Sequence, residues 1–361
     1  MQLAGGKAMD QRTDRVEHFQ EMLGSSQIQC GFLSPERMPL VITPVDSTLS
    51  GDREVFATWY RHHQAVFDSM LLEFGCLLFR GFPLRENADF QAIAQNYPEH
   101  AFGYIGGATP RKNIEGRVYE STRIPATLKI GLHQEKAYMA HYPQKLAFFC
   151  KQPSEQGGET ILCDMRAVTR RLPPSLIERL CAARILYLRN FRAPSTPENE
   201  PRNTHMREYH RPWDEAFLTD DPQRVEQLCR DTDLDYQWLE DGSITVSHTG
   251  DAVLKHPLTG ELIWFNQLST QHNNTRSLGK PGYAYIQHAY QDKPARPYDV
   301  RLGDGTPISE AEIAPIYDAL EAQEIAFPWH SGDLLLIDNI AVAHGRNPFK
   351  GKRDVQVALF D

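Results

Sequence analysis

What most constrains this chain is a series of short apolar runs, none long enough for a core helix, each stopped by glycine, proline or charge. Residues 76–82, 145–150, 159–163, 244–246, 261–265, 333–337 and 354–360 are the runs in question. Runs of this length, rich in branched and aromatic residues, read as strands, the most apolar of them buried on both faces. Helical spacing is confined to other stretches. Residues 52–74 place Val55, Phe56, Trp59, Val66, Phe67, Met70 and Leu71 on helical positions, and residues 87–97 predict a second helix. Between about 166 and 240 the pattern turns helical and irregular, broken at Pro173-Pro174, Pro194, Pro197, Pro201 and Pro212. Together these predict a mainly β chain with flanking helices (α+β), a jelly roll carrying a helical insertion over those residues. Residues 1–25 are polar and are expected to be poorly ordered, leaving 26–361 as a single domain.

Composition removes several function classes. At 361 residues the chain exceeds the size at which one simple core stops growing, so large insertions or a second domain are expected. Apolar residues make up 41% and charged residues 24%, ordinary globular usage that excludes disorder or coiled coil as an account of the whole. No stretch nears the roughly 20 uncharged apolar residues needed to cross a bilayer. The segment from Met1 to Arg15 carries Lys7, Asp10, Arg12 and Asp14 and has no apolar secretory core. A formal net charge of −9, with no block of five basic residues, argues against nucleic acid or a membrane surface as partner. Cys30, Cys76, Cys150, Cys163, Cys181 and Cys229 form no C-x-x-C pair and read as reduced thiols of a cytoplasmic protein. Gly106-Gly107 and Gly157-Gly158 lack the spacing of a dinucleotide or P-loop fingerprint.

The chemistry-bearing pattern is His133-Gln134-Glu135. In a strand, residues i and i+2 share a face, so an imidazole and a carboxylate at that spacing can converge on one ion. Alone, such a pair is more often an ordinary surface feature. A third candidate, His344, follows the apolar run that ends at Ile337. Two histidines and one carboxylate on one face of an octahedron leave three positions open, the arrangement of non-haem Fe(II) oxygenases. Candidates for an anionic cosubstrate accompany the set: Thr160, in Gly157-Gly158-Glu159-Thr160, and Arg353, nine residues after His344. A guanidinium clamps a carboxylate bidentately and a threonine hydroxyl adds one hydrogen bond.

At these residues the chain resembles the TauD/TfdA group of Fe(II)/2-oxoglutarate dioxygenases. Within that group it is most similar to the syringomycin-pathway-type amino-acid β-hydroxylases that serve nonribosomal peptide assembly. The resemblance runs from Asp52 to Asp361. It includes Val118–Pro125, His133-Gln134-Glu135-Lys136-Ala137-Tyr138, the Gly157–Arg166 segment, His256-Pro257-Leu258-Thr259-Gly260-Glu261, Trp264-Phe265-Asn266-Gln267, Asp338-Asn339, His344-Gly345-Arg346 and Gly351-Lys352-Arg353. It implies a double-stranded β-helix, with His133, Glu135 and His344 as iron ligands. It implies Arg353 as partner of the far carboxylate of 2-oxoglutarate, with Thr160 assisting, and Arg346 as a further contact to cosubstrate or substrate. Two departures stand near the first ligand: Arg123 where the family more often has an acidic residue, and Lys136-Ala137 in place of Met-Ser.

The implied reaction uses Fe(II), 2-oxoglutarate and O2 to hydroxylate an unactivated C–H of an amino acid, free or tethered to a peptidyl carrier protein. Because Glu135 fills the place a halide would need, hydroxylation or desaturation is expected rather than chlorination. The competing readings are a catabolic dioxygenase of the same family acting on another small acid, a zinc hydrolase using the same three donors, and a non-catalytic jelly roll. The zinc reading leaves Arg353 and Thr160 without a role, and a non-catalytic protein gives no reason for an intact ligand set.

Overall fold

A computed structural model describes residues 2–33, 38–107, 111, 113–122, 124–200, 209–291 and 296–361, with side chains from residue 13 onward. The organising element is an eight-stranded sheet. Its order is Ile28–Phe32, Leu40–Pro44, Cys76–Phe79, Leu334–Asp338, Lys145–Gln152, Asp354–Phe360, Val118–Glu120 and Asn113–Glu115. All neighbours run antiparallel except Leu40–Pro44 beside Cys76–Phe79, which are parallel.

The central strands of this sheet are apolar without alternation because both faces are covered. Leu77, Phe79, Ala147, Phe149, Leu334, Leu336, Ala358 and Phe360 face one core with Phe56, Tyr60, Phe67 and Phe74. Those four come from the helices Arg53–His62 and Gln64–Phe74. The continuous helix expected over 52–74 is therefore two, joined at His63, whose φ of −101° and ψ of 9° leave the helical region. Cys76, Leu78, Leu146, Phe148, Cys150, Leu335, Ile337, Val355, Val357 and Leu359 face the other core.

That second core is closed by a four-stranded sheet in the order Ile325–Phe327, Thr160–Asp164, Val342–Arg346, Ile130–His133. The two facing sheets, antiparallel apart from that one parallel pair, are the double-stranded β-helix that the family resemblance implies.

Two boundaries differ from expectation. The predicted disordered start contains the helix Gln2–Leu23, whose Val16, Phe19 and Leu23 are buried with the helical core. Apolar residues at i, i+3 and i+7 were diluted in the sequence by the charged residues between them. The insertion is also larger and less helical than predicted. Thr160–Asp164 and Ile325–Phe327 are sheet neighbours, so everything between them is inserted. Besides helices it holds a second four-stranded sheet, Asp235–Trp238, Ile244–Gly250, Ile185–Phe191 and Tyr298–Leu302. The last of these strands comes from far beyond residue 240, a long-range pairing that local pattern does not reveal.

Among the described residues no helix is long and apolar enough to cross a membrane. All six cysteines are free.

Leu336 lies fully buried at the centre of the large sheet, opposite Leu77 on one side and Ala147 on the other. Leu336→Ala is expected to cost about 3 kcal/mol of stability through lost burial and a residual cavity. A shift in the urea midpoint, with the slope unchanged, measures it.

Candidate metal centre

The small sheet brings the three donor residues together. His133 is the last residue of Ile130–His133 and His344 the middle of Val342–Arg346, and the antiparallel register sets them directly opposite. Their ring centroids are 4.4 Å apart. Gly345 permits this close pairing, since a Cβ there would collide with the Ile130 carbonyl and the Ile161 side chain.

Glu135 is not on the strand, contrary to the i, i+2 expectation. The strand ends at His133 and Glu135 begins a turn. In place of the strand ladder, the fully buried Asn339 holds its backbone. Asn339 Oδ1 accepts the Glu135 N–H at 2.7 Å, while Nδ2 donates to the carbonyls of Glu135 at 3.0 Å and Pro143 at 2.7 Å. Gln134 donates to the carbonyls of Trp264 and Ile340, at 3.1 and 2.7 Å, and Gln267 donates back to the Gln134 carbonyl at 2.7 Å. The turn that carries Asn339 is itself capped by Asp338, which accepts from the N–H groups of Ile340 and Ala341 and pairs with His256 at 2.9 Å. His256 Nδ1 accepts from two backbone N–H groups, so Nε2 carries the proton given to Asp338. The Asp338-Asn339, His256 and Trp264–Gln267 motifs therefore act as a scaffold for Glu135.

The ligating atoms of His133, Glu135 and His344 all lie within 4.8 Å of one another, with His344 Nε2 4.0 Å from Glu135 Oε2. His133 Nδ1 lies 2.8 Å from the Gly131 carbonyl. That contact needs a proton on Nδ1 and leaves the Nε2 lone pair free, the usual way a ligating imidazole is oriented. His344 is held well below the ordinary histidine pKa by burial, with His133 and Arg111 adding to the effect. A neutral imidazole is the form that can ligate. The donor set fits a divalent ion of the imidazole- and carboxylate-binding class, with open positions on the pocket side.

That pocket is lined by His133, Glu135 and His344 together with Thr160, Arg346 and Arg353, so every candidate from the sequence meets in one cavity. A larger cavity of about 510 Å³ lies elsewhere, beside the helix Thr275–Ala289, and contains none of them. Thr160 Oγ1 accepts a hydrogen bond from the buried indole N–H of Trp329 at 2.9 Å. Its own proton is thereby left to donate to an anion. Among the described residues Arg353 hydrogen-bonds only to neutral oxygens, the Gly158 carbonyl at 3.3 Å and Ser121 Oγ at 3.5 Å. Burial, and after it the charge of Arg346, pushes Arg353 down to about 10, still protonated at neutral pH. Gly158, at φ +73°, is needed where it is, because a Cβ there would press on Arg353 and Ser154. Arg346 is occupied differently: its Nη atoms donate to the carbonyls of Ile124, Pro125 and Leu128 at 2.7 to 3.1 Å, strapping the segment before the first donor strand.

Comparison with known proteins decides the family. The family described as "Taurine catabolism dioxygenase TauD, TfdA family" matches residues 42–359. The chain belongs to the TauD/TfdA family. Its activity is that of an Fe(II)- and 2-oxoglutarate-dependent dioxygenase, with O2 as second cosubstrate. The dapdiamide synthesis protein DdaC of Enterobacter agglomerans is 33% identical over 303 residues, covering 84% of this chain and 86% of that protein. A clavaminate synthase-like protein of Arabidopsis thaliana is 30% identical over 329 residues, covering 89% and 93%. Among solved structures, PvcB of Pseudomonas aeruginosa covers 92% of this chain and 91% of its own, at 15% identity and a TM-score of 0.48. Family membership removes the zinc-hydrolase and non-catalytic readings.

Sequence reasoning missed several residues of this dioxygenase site. Tyr104 and Arg111 line the pocket, and Arg111 Nη2 stands 3.9 Å from Glu135 Oε2. Nothing local marks them, because they reach the site from a segment that precedes the first donor strand. Lys136 was noted only as a departure. The structure gives it a positive φ of 58° and buries its Nζ against His100 Nε2 at 2.9 Å and the Gly103 carbonyl at 3.0 Å. Arg123, the other departure, lies outside the described residues.

Asn339→Ala would strip both backbone partners from the Glu135 turn. Metal affinity is expected to fall about 10- to 100-fold, the usual cost of losing a group that orients a ligand. Titration of the purified protein with Fe(II) under argon checks this.

Proposed function

We propose that this dioxygenase hydroxylates an unactivated C–H of an amino acid in specialised-metabolite biosynthesis, in the cytoplasm. In this reading His133, Glu135 and His344 hold Fe(II), and Arg353 with Thr160 grips the far carboxylate of 2-oxoglutarate. The observation that carries it is the juxtaposition of a one-sided His/Glu/His donor set with a buried guanidinium that has no anionic hydrogen-bond partner among the described residues, in one pocket. Relatedness to a protein named for dapdiamide synthesis supports a biosynthetic rather than a catabolic role. Six free thiols fit a reducing compartment.

When bound, Fe(II) with 2-oxoglutarate and O2 supplies the oxidising power for C–H cleavage, releasing succinate and carbon dioxide. The chain's own residues do the rest. Arg353 fixes the cosubstrate as a charge-assisted pair and Thr160 donates one more hydrogen bond, so the reacting end is presented to the His/Glu/His face in one orientation. Phe148, whose ring lies 5.1 Å from that of His344, and Ile130, Ile124 and Val355 form the apolar wall of the same pocket. That apolar wall would disfavour water beside the reacting centre. Glu135 would supply a carboxylate donor to the ion in place of a halide, which would favour an oxygenated over a chlorinated product.

Spectroscopy, cosubstrate titration and product analysis test the reading. Adding 2-oxoglutarate anaerobically to the Fe(II) protein is expected to give a visible charge-transfer band that His344→Ala lacks. A protein that binds zinc tightly and shows no such band with iron would sink it. Arg353→Ala should raise the 2-oxoglutarate requirement more than about tenfold while iron binding persists, corresponding to at least 1.4 kcal/mol. Product mass spectrometry in high chloride should show added oxygen, or loss of two hydrogens, and no chlorine isotope pattern. Glu135→Ala should abolish that product.

A further inference from the structure

The pocket contains more positive charge than iron and 2-oxoglutarate account for. It is lined by three guanidinium groups, Arg111, Arg346 and Arg353, and among its described lining residues Glu135 is the single carboxylate. The charge of Fe(II) offsets that of the cosubstrate dianion. Glu135 then offsets one of the three guanidinium charges and two remain; Arg353 is assigned to the far carboxylate and Arg346 is engaged by three backbone carbonyls, which leaves Arg111.

Arg111 is a built feature. Its side chain is 8% exposed, and its Nε and Nη1 are buried with no hydrogen-bond partner among the described residues. The nearest anionic atom is Glu135 Oε2, which at 3.9 Å from Nη2 lies beyond hydrogen-bond reach. The guanidinium stacks over the Tyr104 ring at 5.1 Å, and the Tyr104 hydroxyl is likewise buried and without a partner. Burial holds that phenol well above its ordinary pKa, so it is a neutral donor. The loop bearing Tyr104 is pinned from two sides. Lys136 donates to the Gly103 carbonyl, and the buried Arg189 donates to the Gly106 carbonyl while stacking 4.7 Å from the Tyr138 ring. Buried donors left open on a rigid frame beside a reaction centre are costly unless a ligand completes them.

The geometry points to Arg111 and Tyr104 as the anchor for a carboxylate anion of the substrate, which sets the substrate's C–H bonds beside the His133–Glu135–His344 centre. This rests on the dioxygenase reading and deepens it. A thioester to a carrier protein has no α-carboxylate, so recognition by Arg111 selects either a free amino acid or a tethered one with an acidic side chain.

The test uses the whole protein with Fe(II) and 2-oxoglutarate under argon. The probes are the common L-amino acids, each paired with its α-amide, and aspartate and glutamate paired also with asparagine and glutamine. Perturbation of the charge-transfer band reads substrate binding. At least one acid is expected to perturb it more than tenfold more tightly than its amide. Arg111→Met is expected to erase that preference, and Tyr104→Phe to weaken it severalfold. In both variants the 2-oxoglutarate titration stays as in the parent protein. Which amide loses binding tells an α-carboxylate from a side-chain one. Equal binding of acid and amide, a preference that survives Arg111→Met, or no acid perturbing the band would each overturn the anchor. So would a tenfold loss of 2-oxoglutarate affinity in Arg111→Met, which would make Arg111 a cosubstrate group. Absence of the band in the parent protein would instead remove the reading beneath. Methionine in place of a buried unpaired guanidinium conserves volume and removes a desolvated charge, so the variant is expected to fold, with a melting temperature at or above that of the parent.

Discussion

The pairing of His344 with His133 across the small sheet is the contact on which the site depends. One residue of register slip would send both side chains to opposite faces. What prevents it is the core behind. Val342 and Leu162 share the face of His344, while Ala343, Ile161 and Cys163 lie on the opposite face, and all five are buried. The donors are thus positioned by the same burial that holds the two sheets together, and the ion that they suit would add to an arrangement already fixed.

Glu135 shows where sheet geometry stops sufficing. A carboxylate placed by strand alternation alone would share the ladder's constraints. Here it sits just past the strand end, where backbone groups need other partners. Asn339, Gln134 and Gln267 supply them, and each reaches from a different part of the chain. Asn339 belongs to the loop between two core strands, and Gln267 to the long insertion. The insertion is thereby coupled to the metal centre by hydrogen bonds to the residue next to Glu135.

This explains what the sequence could reveal. The central strands were legible because two-sided burial writes itself as uninterrupted apolar runs, and Asp354–Phe360 was read to its ends. His133, Glu135, His344, Thr160 and Arg353 were found through donor chemistry joined to family resemblance, and they meet in one pocket. What escaped was whatever depends on distant pairing. The insertion's sheet joins Ile185–Phe191 to Tyr298–Leu302, more than a hundred residues on. The helix Gln2–Leu23 was hidden because a thin apolar stripe in a charged segment looks like solvated chain. Tyr104 and Arg111 carry no local signature at all, since a buried arginine and an exposed one are the same letter.

The distribution of unsatisfied polar groups gives the last link between stability and function. Tyr104 Oη, Arg111 Nε and Nη1, His344 Nδ1 and Arg346 Nε are buried without partners, and all belong to residues lining the one pocket. Unpartnered buried atoms occur elsewhere too, at Trp59 Nε1, Arg189 Nη2, Gln271 Oε1 and Gln356 Oε1, whereas the side chains of Asn339 and Asn274 are fully engaged. Five such atoms crowd the pocket, and the fold is less stable there than a fully satisfied one would be. This part of the deficit lies where a dicarboxylate and an anionic substrate would remove some of it. Binding and folding therefore draw on the same groups: the protein is least complete, as a folded object, at the place where its ligands complete it.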